Sequence, residues 1–334
     1  MNGTTSPANI TVTVPARLHL GFLDPNGGLG RRFGSIGLAI SGPRTRITIG
    51  MGARMHVTGP ERERVTGHLA AMQRALDLEG AHHVTIDEVV PPHVGLGSGT
   101  QLALAVAAAL RRLHGLPLDV RADALRLGRG ARSGIGIGLF EHGGLVVDGG
   151  RGPAGLVAPI ISRMAFPERW RVFLVLDRRR QGVHGADERD VFDRLPPWSE
   201  ADAAHLCRLV LMQALPAVAE HDIVAFGSAI REMQARLGDY FAALQGGQRF
   251  SSPDVAGALE LLEREGALGI GQSSWGPTGF AFAPSPESAD RLLARAHGDP
   301  RCRNLEIRTC SGLNRGAEII AHAAVDAPER QRWK

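Results

Sequence analysis

The apolar and polar positions divide the chain into short alternating runs and a few longer helical ones. Ile10–Val14 (ITVTV) alternates with period two, which sends successive side chains to opposite faces of a strand. After Pro15, Arg17–Phe22 (RLHLGF) reads as a second strand, and Ile36–Ile40, Arg44–Ile49 and Arg54–Thr58 as further ones. Gly67–Leu78 carries Leu69, Met72, Leu76 and Leu78 at helical spacing, and His83–Val90 alternates again. Gln101–Leu110 is almost wholly Ala, Leu and Gln, all good helix formers. Leu118–Leu127 predicts a short helix and Leu145–Asp148 a strand.

In the second half, strands are expected at Arg171–Asp177, Ala267–Ile270, Phe280–Ala283 and Asn304–Cys310. Helices are expected at Ala201–Leu215, Val218–Leu237, Pro253–Glu265 and Glu287–His297. Strands and helices in this order suit an α+β fold rather than strict βαβ alternation. Residues 149–159 (GGRGPAGLVAP) are dense in glycine and proline, so we expect two domains, 1–155 and 156–334.

Composition narrows the classes. The chain has 334 residues, 43% hydrophobic and 22% charged, which is ordinary for a globular protein. Its net charge of +4 is almost wholly arginine, with one lysine, Lys334, at the very end. That excess is mild, and no basic run is long or laced with aromatics, so nucleic acid is not an expected partner. No stretch of about 20 apolar residues predicts a membrane span. The start, MNGTTSPANI, has neither the basic nor the apolar region of a secretory signal. Cys207, Cys302 and Cys310 form no CxxC pair, which argues against a zinc site and for a reducing, cytoplasmic setting.

Candidate chemistry gathers in four glycine-rich polar loops: 23–35, 95–101, 128–144 and 271–279. The second organises the rest. Pro91-Pro92 stops the preceding strand. Gly95, Leu96, Gly97, Ser98, Gly99, Thr100 and Gln101 then lead into the Ala/Leu helix. Glycines let backbone approach a ligand, and the first helical N–H groups are unpartnered and lie at the positive end of the dipole. The pattern predicts a phosphate or diphosphate site. It is not a Walker A loop, which needs a lysine after the last glycine. Arg17 and His19 share one strand face. Arg132, Ser133 and Gly134 suit a second phosphate, with Arg129 nearby. Asp24 before Pro25, or the carboxylates after Asp177, are candidates to hold Mg²⁺; each also reads as an ordinary turn or charged loop. Trp275, beside Ser273 and Ser274, either stacks on a flat ligand or fills the core of a tight turn.

These four stretches carry a resemblance. PPHVGLGSGTQ resembles the central P-x3-G-L-G-S-S motif of the GHMP kinase superfamily. With RLHLGFLDPNG (17–27), RSGIGIGLFEHGGLVVDGG (132–150) and GQSSWGPT (271–278), the chain looks like the β-ribofuranosylaminobenzene 5′-phosphate synthase branch. The resemblance implies a two-domain GHMP-kinase-like fold: an N-terminal mixed sheet with helices, and a C-terminal ferredoxin-like α/β sandwich. It implies condensation of 4-aminobenzoate with phosphoribosyl diphosphate, loss of CO₂ and diphosphate, a Mg²⁺ requirement and a homodimer. On this view Gly95–Gln101 hold the diphosphate, and Arg17, Arg132 and Ser133 bind phosphate or carboxylate. Asp24 or Glu188 positions Mg²⁺, and Ser273, Ser274 and Trp275 line the ribose or aromatic side. The sequence departs from the kinases of the superfamily: Ser98-Gly99 replaces S-S, no carboxylate falls in R-S-G-I-G-I (132–137), and no lysine is available. An ATP-dependent kinase and a non-catalytic phosphoribosyl-ligand-binding protein are the rival expectations.

Overall fold

The computed structural model describes residues 7–152, 156–180, 182 and 195–323. Its first sheet has seven strands. The path runs β11 (Glu318–His322), β1 (Asn9–Asp24), β2 (Phe33–Gly52), β4 (Ala81–Glu88), β3 (His56–Thr58). Off this path, β5 (Leu145–Asp148) pairs with β2, and β6 (Ile160–Met164) with β5. Among the described strands, only β3 and β4 pair in parallel. The second sheet is antiparallel, in the order β10 (Glu306–Ser311), β7 (Arg171–Leu176), β9 (Gly279–Ala283), β8 (Leu268–Gln272). This is the expected α+β class. Two strands from beyond residue 155, β6 and β11, belong to the first sheet.

The expected pairs of short strands are single long ones. Pro15 lies inside β1, where the register against β2 shifts between Pro15 and Ala16, so the missing N–H falls at an irregularity and not in a regular ladder. A second shift, between His19 and Gly21, adds a bulge, and such bulges commonly re-aim side chains beside sites.

The helices are α1 (Arg62–Leu76), α2 (Ser98–Leu113), α3 (Val120–Arg126), α4 (Ile135–His142), α5 (Glu200–Leu209), α6 (Leu215–Ala219), α7 (Ile223–Phe241), α8 (Pro253–Arg264) and α9 (Pro286–Gly298). A π-helical turn, Val210–Ala214, joins α5 to α6. The third glycine-rich stretch is therefore not loop throughout. Ile135, Ile137, Leu139 and Phe140 are buried and carry α4 through its two glycines.

Three layers of core position the cleft. α2 is buried along nearly its whole length against α1 and the first sheet, with Val12, Val14, Ile47 and Ile49 opposite it. Period two splits β7: Val172 and Leu174 join Leu18, Leu20 and Phe22 of β1 and Phe226, Ile230 and Met233 of α7 in the central core. Phe173 and Val175 face the other way, onto α8 and α9. The far end of α2 is fixed by a buried bidentate pair, Arg111 to Asp123 of α3, at 2.5 and 2.8 Å.

Candidate active site

A cleft of about 350 Å³ opens where β1, the start of α2, the loop before α4 and the loop between β8 and β9 meet. Of the four glycine-rich stretches, residues of 95–100, 128–133 and 274–276 line it, together with Arg17, His19 and Phe22 of β1, while the tip of the first loop does not.

The phosphate loop is locked from behind. Gly97 caps α2 with φ +77° and gives no side-chain cap, so the first N–H groups of α2 remain available for an anion. Arg17 N–H donates to the Leu96 carbonyl at 3.1 Å. Gly95 has φ +82°, and a Cβ there would overlap the carbonyl oxygen of Ser273. The Ser273 hydroxyl accepts from His19 N–H at 3.0 Å and donates to the Gly95 carbonyl at 2.8 Å, tying three elements together.

Arginine dominates the wall. Arg17, Arg64, Arg129 and Arg132 all line the cleft, and no lining residue among those described is Asp or Glu. Arg64 and Arg129 stand over Gly99 in the first turn of α2. Burial, then the charge of Arg64, lowers the pKa of Arg129, and its Nε is buried with no hydrogen-bond partner. Arg64 pairs with Glu61 at 2.7 Å. Crowded guanidiniums at a helix N-terminus favour a multiply charged anion. His68, one turn along α1 from Arg64, is pushed down to about 4, by burial first and then by Arg129 and Arg64. His19 is buried, and burial followed by the charges of Arg17 and Arg132 holds its pKa well below the ordinary value, so its ring is neutral.

Several expected residues have bonding or packing partners within the protein. Asp24 lies outside the cleft lining; its carboxylate accepts from the N–H groups of Asn26, Gly27 and Gly28 at 2.8–3.0 Å, the turn reading of that residue. Glu188 falls outside the described residues, as do His184 and Asp187. Leu96 is a core residue, and Gln101 is buried with its amide donating to the Gly136 carbonyl at 3.0 Å. Ser133 and Gly134 donate to Asp148, whose burial raises its pKa despite these bonds and one from Gly150 N–H. Trp275 fills the core of its turn, 6% exposed and packed on Phe241 at 4.7 Å, and lines the cleft beside Ser274. Among the described residues no cluster of three or more His, Cys, Asp or Glu is arranged to hold a metal. Arg64 and His93 were not anticipated; Arg64 precedes the start assigned to its helix, and nothing in the spacing of His93 marks it.

Residues 63–144 match the family described as GHMP kinases N terminal domain, and residues 214–299 match GHMP kinases C terminal. A protein of Archaeoglobus fulgidus named beta-ribofuranosylphenol 5′-phosphate synthase is 34% identical, over 93% of this chain and 99% of its own. One of the same name from Methanothermobacter thermautotrophicus is 31% identical, over 93% and 98%. The chain belongs to the β-ribofuranosylphenol 5′-phosphate synthase family, within the GHMP kinases. Among solved structures, homoserine kinase from Cytophaga hutchinsonii superposes with a TM-score of 0.67 at 15% identity, covering 96% of this chain and all of its own. Mevalonate kinase from L. major gives 0.67 at 18%, covering 92% and 97%. These two similarities establish the GHMP fold, and at that identity nothing further. No described helix is long and apolar enough to cross a membrane.

Proposed function

We propose that the cleft binds phosphoribosyl diphosphate and joins its ribose to the ring of 4-aminobenzoate, releasing diphosphate and CO₂. The observation that carries this reading is the wall itself: four arginines around the α2 N-terminus, with no carboxylate among the described lining residues. A phosphoryl-transfer site positions its nucleophile with a base and needs metal ligands. Departure of diphosphate from a ribosyl carbon needs mainly anion stabilisation. In our assignment the N–H groups from Ser98 onward and the guanidiniums of Arg64 and Arg129 take the diphosphate. Arg17 and Arg132 take the remaining phosphate or the benzoate carboxylate. The ring carbon bearing the carboxylate forms the bond to the ribosyl carbon as the C–O bond to diphosphate breaks. The C–CO₂ bond then breaks, and its electron pair restores the aromatic ring. Mg²⁺, implied by the resemblance, finds no carboxylate on the described wall, so the described residues do not build it a site. A cytoplasmic homodimer completes the proposal.

The relatives are named for a phenol product, which favours 4-hydroxybenzoate as a second acceptor to be assayed beside 4-aminobenzoate. The test is CO₂ release from carboxyl-labelled acceptor with Mg²⁺ and phosphoribosyl diphosphate, without ATP. Donor-dependent release from either acceptor supports the reading and ranks the two. No release, with tight donor binding, points to a binding protein; turnover only with ATP points to a kinase.

A further inference from the structure

One glycine of the phosphate loop is not required by its backbone. Gly95 and Gly97 sit at φ +82° and +77°, where glycine is favoured. Gly99, the second residue of α2, has no positive φ, so its backbone accepts any residue that suits a helix. Alanine would serve that helix better, since glycine is a poor helix former. Nor does any backbone crowd the position. The nearest atoms to a Cβ built on Gly99 are Arg64 Nη2 at 3.0 Å and, from Arg129, Nη1 at 3.2 Å and Cζ at 3.7 Å.

The space that a side chain would take is thus held by two guanidiniums from different elements. Arg64 lies in the first turn of α1, and its Nη1 donates to Glu61 at 2.7 Å, which holds the guanidinium with Nη2 over α2. Arg129 follows α3; its N–H donates to the Ala124 carbonyl at 2.7 Å, and its Nε is buried with no hydrogen-bond partner. Two cations therefore meet above the unpartnered N–H groups of a helix start, an arrangement that only an anion relieves.

We propose that Gly99 determines which anion the cleft selects: the missing side chain admits both guanidiniums to the start of α2, where together they favour a diphosphate over a single phosphate. The inference rests on the part of the reading above that seats diphosphate at this helix. Serine, which the P-x3-G-L-G-S-S pattern has at this position, would put its Cβ and hydroxyl where the guanidiniums meet. The helix forgoes a better residue so that arginine can reach the anion.

The test is calorimetric titration of the full chain with inorganic diphosphate and, separately, inorganic phosphate, beside urea unfolding. Wild type should prefer diphosphate. Gly99→Ala should unfold at or above the wild-type midpoint yet bind diphosphate about threefold more weakly, because the guanidiniums must draw back. Gly99→Val, whose methyls reach further, should bind it about tenfold more weakly, the scale of one charge-assisted bond. In both variants the preference for diphosphate over phosphate should shrink. In an Arg129→Met chain the same Gly99 changes should cost less than in wild type, since one of the groups they displace is gone. A lowered midpoint for Gly99→Ala overturns the inference, because glycine would then serve the fold. An unchanged diphosphate preference in Gly99→Ala, or an equal cost with and without Arg129, overturns it too, whether or not Gly99→Val folds. Failure of wild type to bind diphosphate overturns the seating of diphosphate and this inference with it, a pattern distinct from binding that ignores residue 99.

Discussion

Replacing Gly95 by alanine should unseat the phosphate loop. Two costs can be read from the structure. Gly95 sits at φ +82°, and holding a residue with a Cβ in left-handed backbone costs about 1–2 kcal/mol. The new methyl would also overlap the Ser273 carbonyl, and the two strands of backbone must separate. Separation breaks the Ser273 bridge between the buried His19 N–H and the half-buried Gly95 carbonyl, for a further ~1–3 kcal/mol. We expect a loss of about 2–5 kcal/mol in urea unfolding, by the sum of these two ranges. Function should suffer more than stability, because a displacement of about 1 Å in a positioning group can cost on the order of 100-fold. Ser273→Ala removes the bridge alone and leaves the backbone contact unstrained, so it should lose about 1–3 kcal/mol. Urea midpoints and calorimetric affinity for phosphoribosyl diphosphate measure both. If Gly95→Ala unfolds at the wild-type midpoint and binds donor within twofold, or if Ser273→Ala is the more damaging change, the two loops are not locked as described.

Other expectations follow from single residues. Arg129→Met should weaken diphosphate binding about 10- to 100-fold, the scale of one or two charge-assisted bonds, and flatten its dependence on salt; unchanged affinity would remove Arg129 from the anion wall. His68 stays neutral to about pH 4 in the fold but takes up a proton below about 6.5 when unfolded, so its contribution is present above 6.5 and lost as pH falls towards 4. His68→Gln should therefore reduce the fall in stability over that window by about 1–2 kcal/mol, allowing for its partial exposure. Asp123→Ala should cost about 3–5 kcal/mol in urea unfolding, because it strands the buried Arg111 guanidinium. Asp24→Asn should leave the Mg²⁺ dependence of activity unchanged, since its carboxylate is occupied by loop N–H groups; a raised Mg²⁺ requirement would return Asp24 to the site.

The elements that bury one regular face were legible from periodicity. α2, α8, α9, β5 and β7 lie within a few residues of expectation because their apolar spacing decides them. Where geometry departs from regularity, the pattern misled. Pro15 suggested a break, yet the bulge beside it lets β1 run through. Gly136 and Gly138 hid α4, because glycine lowers helix propensity and only burial of Ile135, Ile137, Leu139 and Phe140 outweighs it. β6 is exposed at alternate positions and β11 at four of its five, so neither presents a buried face; partners elsewhere in the chain, not their own composition, make them strands. In the site, the glycine loops pointed to the anion cleft, since N–H groups at a helix start need no particular side chain. Arg64 was invisible, because nothing local tells a cleft arginine on a helix from a solvated one. Asp24, Ser133 and Ser273 were recognisable as special residues, and the structure shows them bonding to other parts of the protein.

The last described strand has a consequence for synthesis. β11 lies against the first half of β1, with His322 opposite Asn9 and Glu318 opposite Thr13, and the His322 ring meets the Thr11 hydroxyl at 2.8 Å. The first strand made is thus flanked by one of the last. On the ribosome, β1 pairs with β2 early, but its outer edge stays open until some three hundred further residues have emerged. During that interval the chain carries a bare edge rich in Ile and Val, a template for pairing with a neighbour. Closure of that edge therefore waits for residues 318–322.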